Sequence, residues 1–151
     1  MARWVEPAER MRRLLPGLWA GWLLCVALLA TPSAFALLTP AQAGPVVGRM
    51  LAVEAHTSLA LGALLIALER LAARRQAEAG RGSQFSLGMG LAGGALFCTV
   101  AGYFAVLPMM EAARAGQGAL GFGQLHGVSL AFFAVKLVLV GWLAWRAAGT
   151  R

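Results

Sequence analysis

The sequence predicts an all-α membrane protein: a bundle of four helices crossing the bilayer, with both termini cytoplasmic. Three observations predict it. First, the 151 residues are 60% hydrophobic and only 13% charged, with a mean hydropathy of +0.72. A soluble domain carries about 25% charged and about 45–50% apolar residues. A water-soluble fold of this length could not hide the surplus, whereas a bilayer solvates it. Second, four apolar runs each reach the roughly 20 residues that a spanning helix needs. Third, the arginines fall in alternate gaps between those runs.

The spans run over about 16–38, 46–71, 85–107 and 125–145. A cytoplasmic N-terminal segment, 1–13, precedes the transmembrane domain, 14–146, and a short tail, 147–151, follows it. Hydrocarbon offers backbone N–H and C=O groups no water to bond, so each span must be helical. Arg3, Arg10, Arg12, Arg13, Arg70, Arg74, Arg75, Arg81, Arg146 and Arg151 fall on one side, against Arg49 and Arg114 on the other. Cytoplasmic loops collect Lys and Arg, which places both ends inside and suits a multi-pass protein of a bacterial inner membrane. Trp4, Trp19, Trp22, Trp142 and Trp145 lie near span ends, where an indole meets the headgroups.

Span one has a second reading. Arg10, Arg12 and Arg13, the apolar run and Ala34-Phe35-Ala36 make up the parts of a secretory signal. The run exceeds the usual length of about 7–15 residues, which favours a retained helix. Pro32 removes a backbone bond and should bend that helix. Pro40 and Pro45 flank an outer turn at 41–44, and the glycine-rich stretch 108–124 reads as the longer outer loop.

The net charge of +7 raises nucleic acid as a partner. No basic face interleaved with aromatics supports it, so the partner expected is the lipid bilayer. Cys25 and Cys98 lie inside apolar runs and read as small hydrophobes. Gly17 and Gly21 form a GxxxG spacing, and Gly90, Gly94, Cys98 and Gly102 repeat every four residues. Small residues let membrane helices approach closely, so this stripe is expected at the bundle centre or between copies of a homo-oligomer. Gly88 to Gly93 also matches GxGxxG, but no strand precedes it and no acidic residue follows at the nucleotide-binding distance.

Ionisable groups inside a span are costly and default to a functional hypothesis. Glu54 and His56 lie in span two, His126 and Lys136 in span four, and Arg49 near the outer interface. Helical spacing puts Glu54, Thr57, Ser58 and Leu61 on one face, and His126, Ser129, Phe133 and Lys136 on another. Glu54 can therefore pair with Lys136 between helices, or locally with Arg49. His56 and His126, helped by Met109, Met110 or Glu111, could hold copper or haem, since imidazole suits both. They lack HxxxH spacing, so no cofactor is expected. Glu6, Glu9, Glu69 and Glu78 read as solvated or interfacial charges. No nucleophile has a matched base, which leans against an enzyme.

Leu18-Trp19-Ala20-Gly21, Pro32, Phe35, Ala43-Gly44, Gly48-Arg49, Phe122, Leu125-His126-Gly127, Ser129 and Leu143-Ala144-Trp145-Arg146 together resemble the transmembrane protein 205-like domain family. The resemblance runs from Leu14 to Arg146. It implies a four-helix membrane domain without an established activity, with recurring polar positions at Arg49 and His126. Lys136 and His56 are not features it supplies. Architecture and scattered histidines give a fainter likeness to copper resistance protein D-like and haem-linked families. The expected function is a small transport or assembly accessory. The alternatives are a metal- or haem-binding redox or transport component and a homo-oligomeric channel or carrier subunit.

Overall fold

The computed structural model describes residues 5–149, and among them the secondary structure is helical with no strand. Arg3, Trp4 and Arg151, counted above among the flanking residues, lie outside the described residues. Four helices are long and apolar enough to cross a membrane. The first, α1, comprises Val5–Leu24, a π-helical turn Cys25–Ala30 and Thr31–Leu37. The second, α2, is Pro40–Glu78. The third, α3, comprises Leu87–Thr99, a π-helical turn Val100–Ala105 and Val106–Arg114. The last, α4, is Phe122–Gly149.

The helices form a ring in chain order. α1 packs on α2 and α4, and α3 packs on α2 and α4. Across the diagonals, α1 with α3 and α2 with α4, the backbones do not approach. The main core draws on all four helices, through Trp19 and Leu23, Leu65, Leu91 and Ala92, and Val140 and Leu143. A smaller cluster of Val106, Met110 and Leu125 closes one end. Outside these stripes the surface is apolar: Leu28, Leu29, Phe97, Leu130 and Val138 are each more than 60% exposed. In water such a surface would drive association; lipid tails cover it at no such cost.

The helices outrun the expected spans, for local reasons. The turn expected at 41–44 is helical, leaving only Leu38 and Thr39 between α1 and α2. Pro40 occupies the first helical position, where its missing N–H is no loss. Thr39 and Gln42 form a reciprocal capping box around it, satisfying two otherwise orphaned donors. Pro45 then lies inside the helix. The expected outer loop also shrinks, because 108–114 continues α3 and 122–124 begins α4. What remains turns at Gly116 and Gly118, with φ of 73° and 100°, values side chains rarely tolerate.

Pro32 acts through the turn before it. The Thr31 N–H donates to the Val26 carbonyl, five residues back, so the helix has widened ahead of the proline. Pro108 lies two residues beyond the donor that closes the other π turn, the Val106 N–H, which bonds to the Ala101 carbonyl. Both distortions thus have a proline just downstream, and both lie inside membrane-length helices.

The glycine stripe is only partly a packing stripe. Gly94 and Gly102 face α4: a Cβ would fall 3.1 Å from Leu139 and 2.7 Å from Phe132, respectively. Gly17, Gly21 and Gly90 are exposed, and a Cβ on any of them would meet nothing within 4 Å. The reason is geometric. Four residues overshoot one turn of 3.6 by about 40°, so Gly90 and Gly102 cannot share a face. The face that packs follows mixed spacings of three and four, through Gly88, Leu91, Ala92, Ala95, Cys98 and Thr99. From α2, Gly62 meets α3 closely, since a Cβ there would fall 2.5 Å from Leu96.

Candidate functional site

On α2, Glu54 and Ser58 are one turn apart and both buried. The Ser58 hydroxyl donates to Glu54 Oε1, and the buried Trp19 of α1 donates its indole N–H to Ser58 Oγ at 2.9 Å. From α4, Lys136 Nζ donates to both Glu54 oxygens, at 2.8 and 2.9 Å. Glu54 and Lys136 are only 2% and 3% exposed. Because α2 and α4 are diagonal partners, the flexible lysine stem carries its charge across the bundle axis. The ammonium also lies 4.8 Å from the centre of the Phe133 ring, close enough for a cation–π attraction.

This arrangement answers an energetic demand. A lone charge at the bilayer centre costs about 2.5–3.5 kcal/mol on insertion scales. A buried pair offsets that only when its remaining donors and acceptors are also satisfied. Here Ser58 and Lys136 converge on one carboxylate, Trp19 satisfies Ser58 in turn, and no buried side-chain polar atom among the described residues lacks a partner.

α3 completes the site with small and self-satisfied groups. Thr99 donates to the Ala95 carbonyl at 3.0 Å, and Ser129 of α4 donates to the Gly102 carbonyl at 3.1 Å. Glu54, Thr99, Gly102, Tyr103, Ser129 and Lys136 line a cavity of about 40 Å³. A water needs about 10–15 Å³ of such space and two to four polar partners, so the cavity suits one or a few waters.

The structure thus brings Glu54 and Lys136 together and leaves Arg49 apart. Arg49 is exposed and makes no ion pair among the described residues. His56 is exposed, with Nδ1 2.7 Å from the Ala52 carbonyl and its ring edge-to-face with Phe104. His126 is exposed and stacked on Phe122, over which the Arg114 guanidinium sits at 4.4 Å. No three His, Cys, Asp or Glu side chains gather as a metal site among the described residues.

Burial overturns one sequence expectation and sharpens another. Trp19, expected at the headgroups, is fully buried in the core. It shares a helix face with Pro16 and Leu23, also buried, while Gly17 and Gly21 face out. Glu69, expected as a solvated or interfacial charge, is 7% exposed. Its Oε1 accepts from Arg12 at 2.8 Å and its Oε2 from Ser86 at 2.8 Å. Ser86 also caps α3 by accepting from the Met89 N–H at 3.1 Å. Gly88 lies so close that a Cβ there would collide with the Glu69 carboxylate. Arg12 is held from its other side by Glu9, at 2.7 and 3.0 Å. The signal for this second cluster was present in part: a serine opening an apolar run is a helix-start mark, and Glu69 lies within the second apolar run.

The family model described as "Domain of unknown function (DUF4149)" matches residues 14–119. The chain belongs to this family. The match begins within α1, runs through α2 and α3, includes Trp19, Glu54, Ser58 and Glu69, and stops before α4 with its His126 and Lys136. No curated protein and no solved structure matches the chain.

Proposed function

We propose that this member of the DUF4149 family is a non-enzymatic protein of the bacterial inner membrane, with both termini cytoplasmic. In this reading it serves as a small transport component that handles protons at the Glu54–Lys136 pair. The observation that carries the reading is the buried pair itself, held across the bundle diagonal beside a water-sized cavity. Ionisable groups within spans mark ion pathways and proton relays. Size narrows the choice: organic ligands occupy pockets of about 300–1,000 Å³, whereas this cavity of about 40 Å³ admits water. The arginine bias supports the orientation, and the resemblance to transmembrane protein 205-like domains supports a membrane role without a catalytic one.

The test is acid flux. Purified protein in liposomes carrying a pH-sensitive dye is driven by a potassium diffusion potential. Wild type is expected to acidify the lumen faster than empty vesicles, and the folded double variant Glu54→Gln with Lys136→Met is expected to lose the excess. Wild-type flux equal to that of empty vesicles would overturn the reading, as would full flux in the double variant. A metal- or haem-binding role would draw on His56 and His126, whose rings have separate aromatic neighbours. A Soret band or copper retained through purification would favour that role instead.

A further inference from the structure

A second cavity, of about 220 Å³, opens at the end of the bundle where α1 begins and α4 ends. Arg12, Arg13, Glu69, Gln76, Ser86 and Arg146 contribute its polar lining. The apolar run of α2 ends here at Glu69, that of α3 starts at Leu87 and that of α4 ends at Trp145. The cavity therefore lies where hydrocarbon gives way to headgroups, and the 81% exposed Trp145 marks the same level.

Its charges are unevenly matched. Both Glu69 oxygens are occupied, by Arg12 and Ser86. Glu9 is held by Arg12 and by Nε of Arg13. Three guanidiniums thus face two carboxylates that are already engaged. The two terminal nitrogens of Arg13 and the whole Arg146 guanidinium make no hydrogen bond or ion pair among the described residues. Guanidinium forks match phosphate oxygens in geometry as well as charge, and basic pockets between membrane helices bind acidic headgroups. Ala73 and Leu143 supply an apolar wall. The volume falls below the roughly 300–1,000 Å³ of organic-ligand pockets, which fits a headgroup phosphate inside with acyl chains lying along the lipid-facing surface.

We infer that this cavity is a headgroup site for an anionic phospholipid, with Arg13 and Arg146 taking the phosphate and Arg12 held in place by Glu9 and Glu69. The experiment places the full chain in nanodiscs of equal parts phosphatidylglycerol and phosphatidylcholine and reads the retained lipid by native mass spectrometry. Wild type is expected to retain phosphatidylglycerol about thirtyfold over phosphatidylcholine, the scale of two near-surface arginines. Arg13→Gln with Arg146→Gln should abolish the preference. Arg74→Gln with Arg75→Gln, which removes the same charge outside the cavity, should keep it. Arg13 and Arg146 are exposed, and if the double variant fails to fold, Arg146→Gln alone carries the comparison. The inference fails if wild type shows no preference, or if both double variants lose it equally. It also fails if inorganic phosphate displaces the lipid at millimolar concentration, which would make the cavity a free-anion site.

Discussion

Glu54 and Glu69 stand on one helix, fifteen residues and about 22 Å apart, and both are buried. Glu54 lies in the body of the bundle and is closed in by a lysine from the diagonal helix, a serine and, through that serine, an indole. Glu69 lies at the bundle end, held by an arginine of α1 and the capping serine of α3, beside a larger cavity of about 220 Å³. The same carboxylate thus serves two purposes. At mid-bundle it balances a charge that hydrocarbon cannot solvate. At the end it ties three helices and positions an arginine where water remains within reach. The difference teaches that burial alone does not define a charged site in a membrane; what matters is whether solvent can replace a lost partner.

Five variants break or sharpen that contrast. Lys136→Met leaves Glu54 without its counter-charge and should cost about 3–5 kcal/mol, read as thermal unfolding in detergent and as accumulation in the membrane. The exchanged pair, Glu54→Lys with Lys136→Glu, should accumulate better than either single change; no recovery would mean that the pair is not coupled. Glu69→Gln should cost less, about 1.5–3 kcal/mol, the range for hydrogen bonds to charged groups. A loss as large as that of Lys136→Met would erase the distinction between the two glutamates. Trp19→Phe removes the indole donor to Ser58, about 1 kcal/mol, and vacates part of a fully buried ring, about 1 kcal/mol more, with the exchanged pair still rescuing. Gly17→Ala with Gly21→Ala should cost nothing, because alanine at a compatible helix position gains about 0.4–1 kcal/mol over glycine. A loss in detergent would show that this outward face is covered by something.

The fold was legible because it rests on bulk properties. Four apolar runs and a missing fraction of charge leave hydrocarbon-spanning helices as the solution, and the four helices appear where those runs lie. The site was legible in its spacing: Glu54 and Ser58 fall one turn apart, and so share a face whatever the tertiary packing. What escaped depended on which face turns inward. Trp19 and Gly17 are two residues apart, and nothing local says which of them meets α2. Glu69 is a carboxylate near the end of an apolar run, and composition gives such a residue to the interface. Only the docking of Arg12 from α1 and of Ser86 from α3 makes it a buried partner. The helix ends were misplaced because Pro40 and Pro108 read as breakers, while each falls in the first turn of a helical segment, where proline is tolerated.

The two π turns have a consequence for how this chain tolerates changes in length. Val26, near the start of the first, and Ala34, beyond it, are eight residues apart and both buried; so are Cys98 and Val106, which bracket the second. In an unbroken α-helix, residues eight apart diverge by about 80°. A turn closed by i→i+5 bonds holds about one residue more than an α-turn, which returns each pair to a single face. Each π turn therefore behaves as one surplus residue stored in the helix. Deleting a residue within 27–30 or 100–105 would let that turn relax to regular α-helix at little cost in phase. The same deletion between Glu54 and Glu69 would rotate everything beyond it by about 100° and put the two carboxylates out of register with each other.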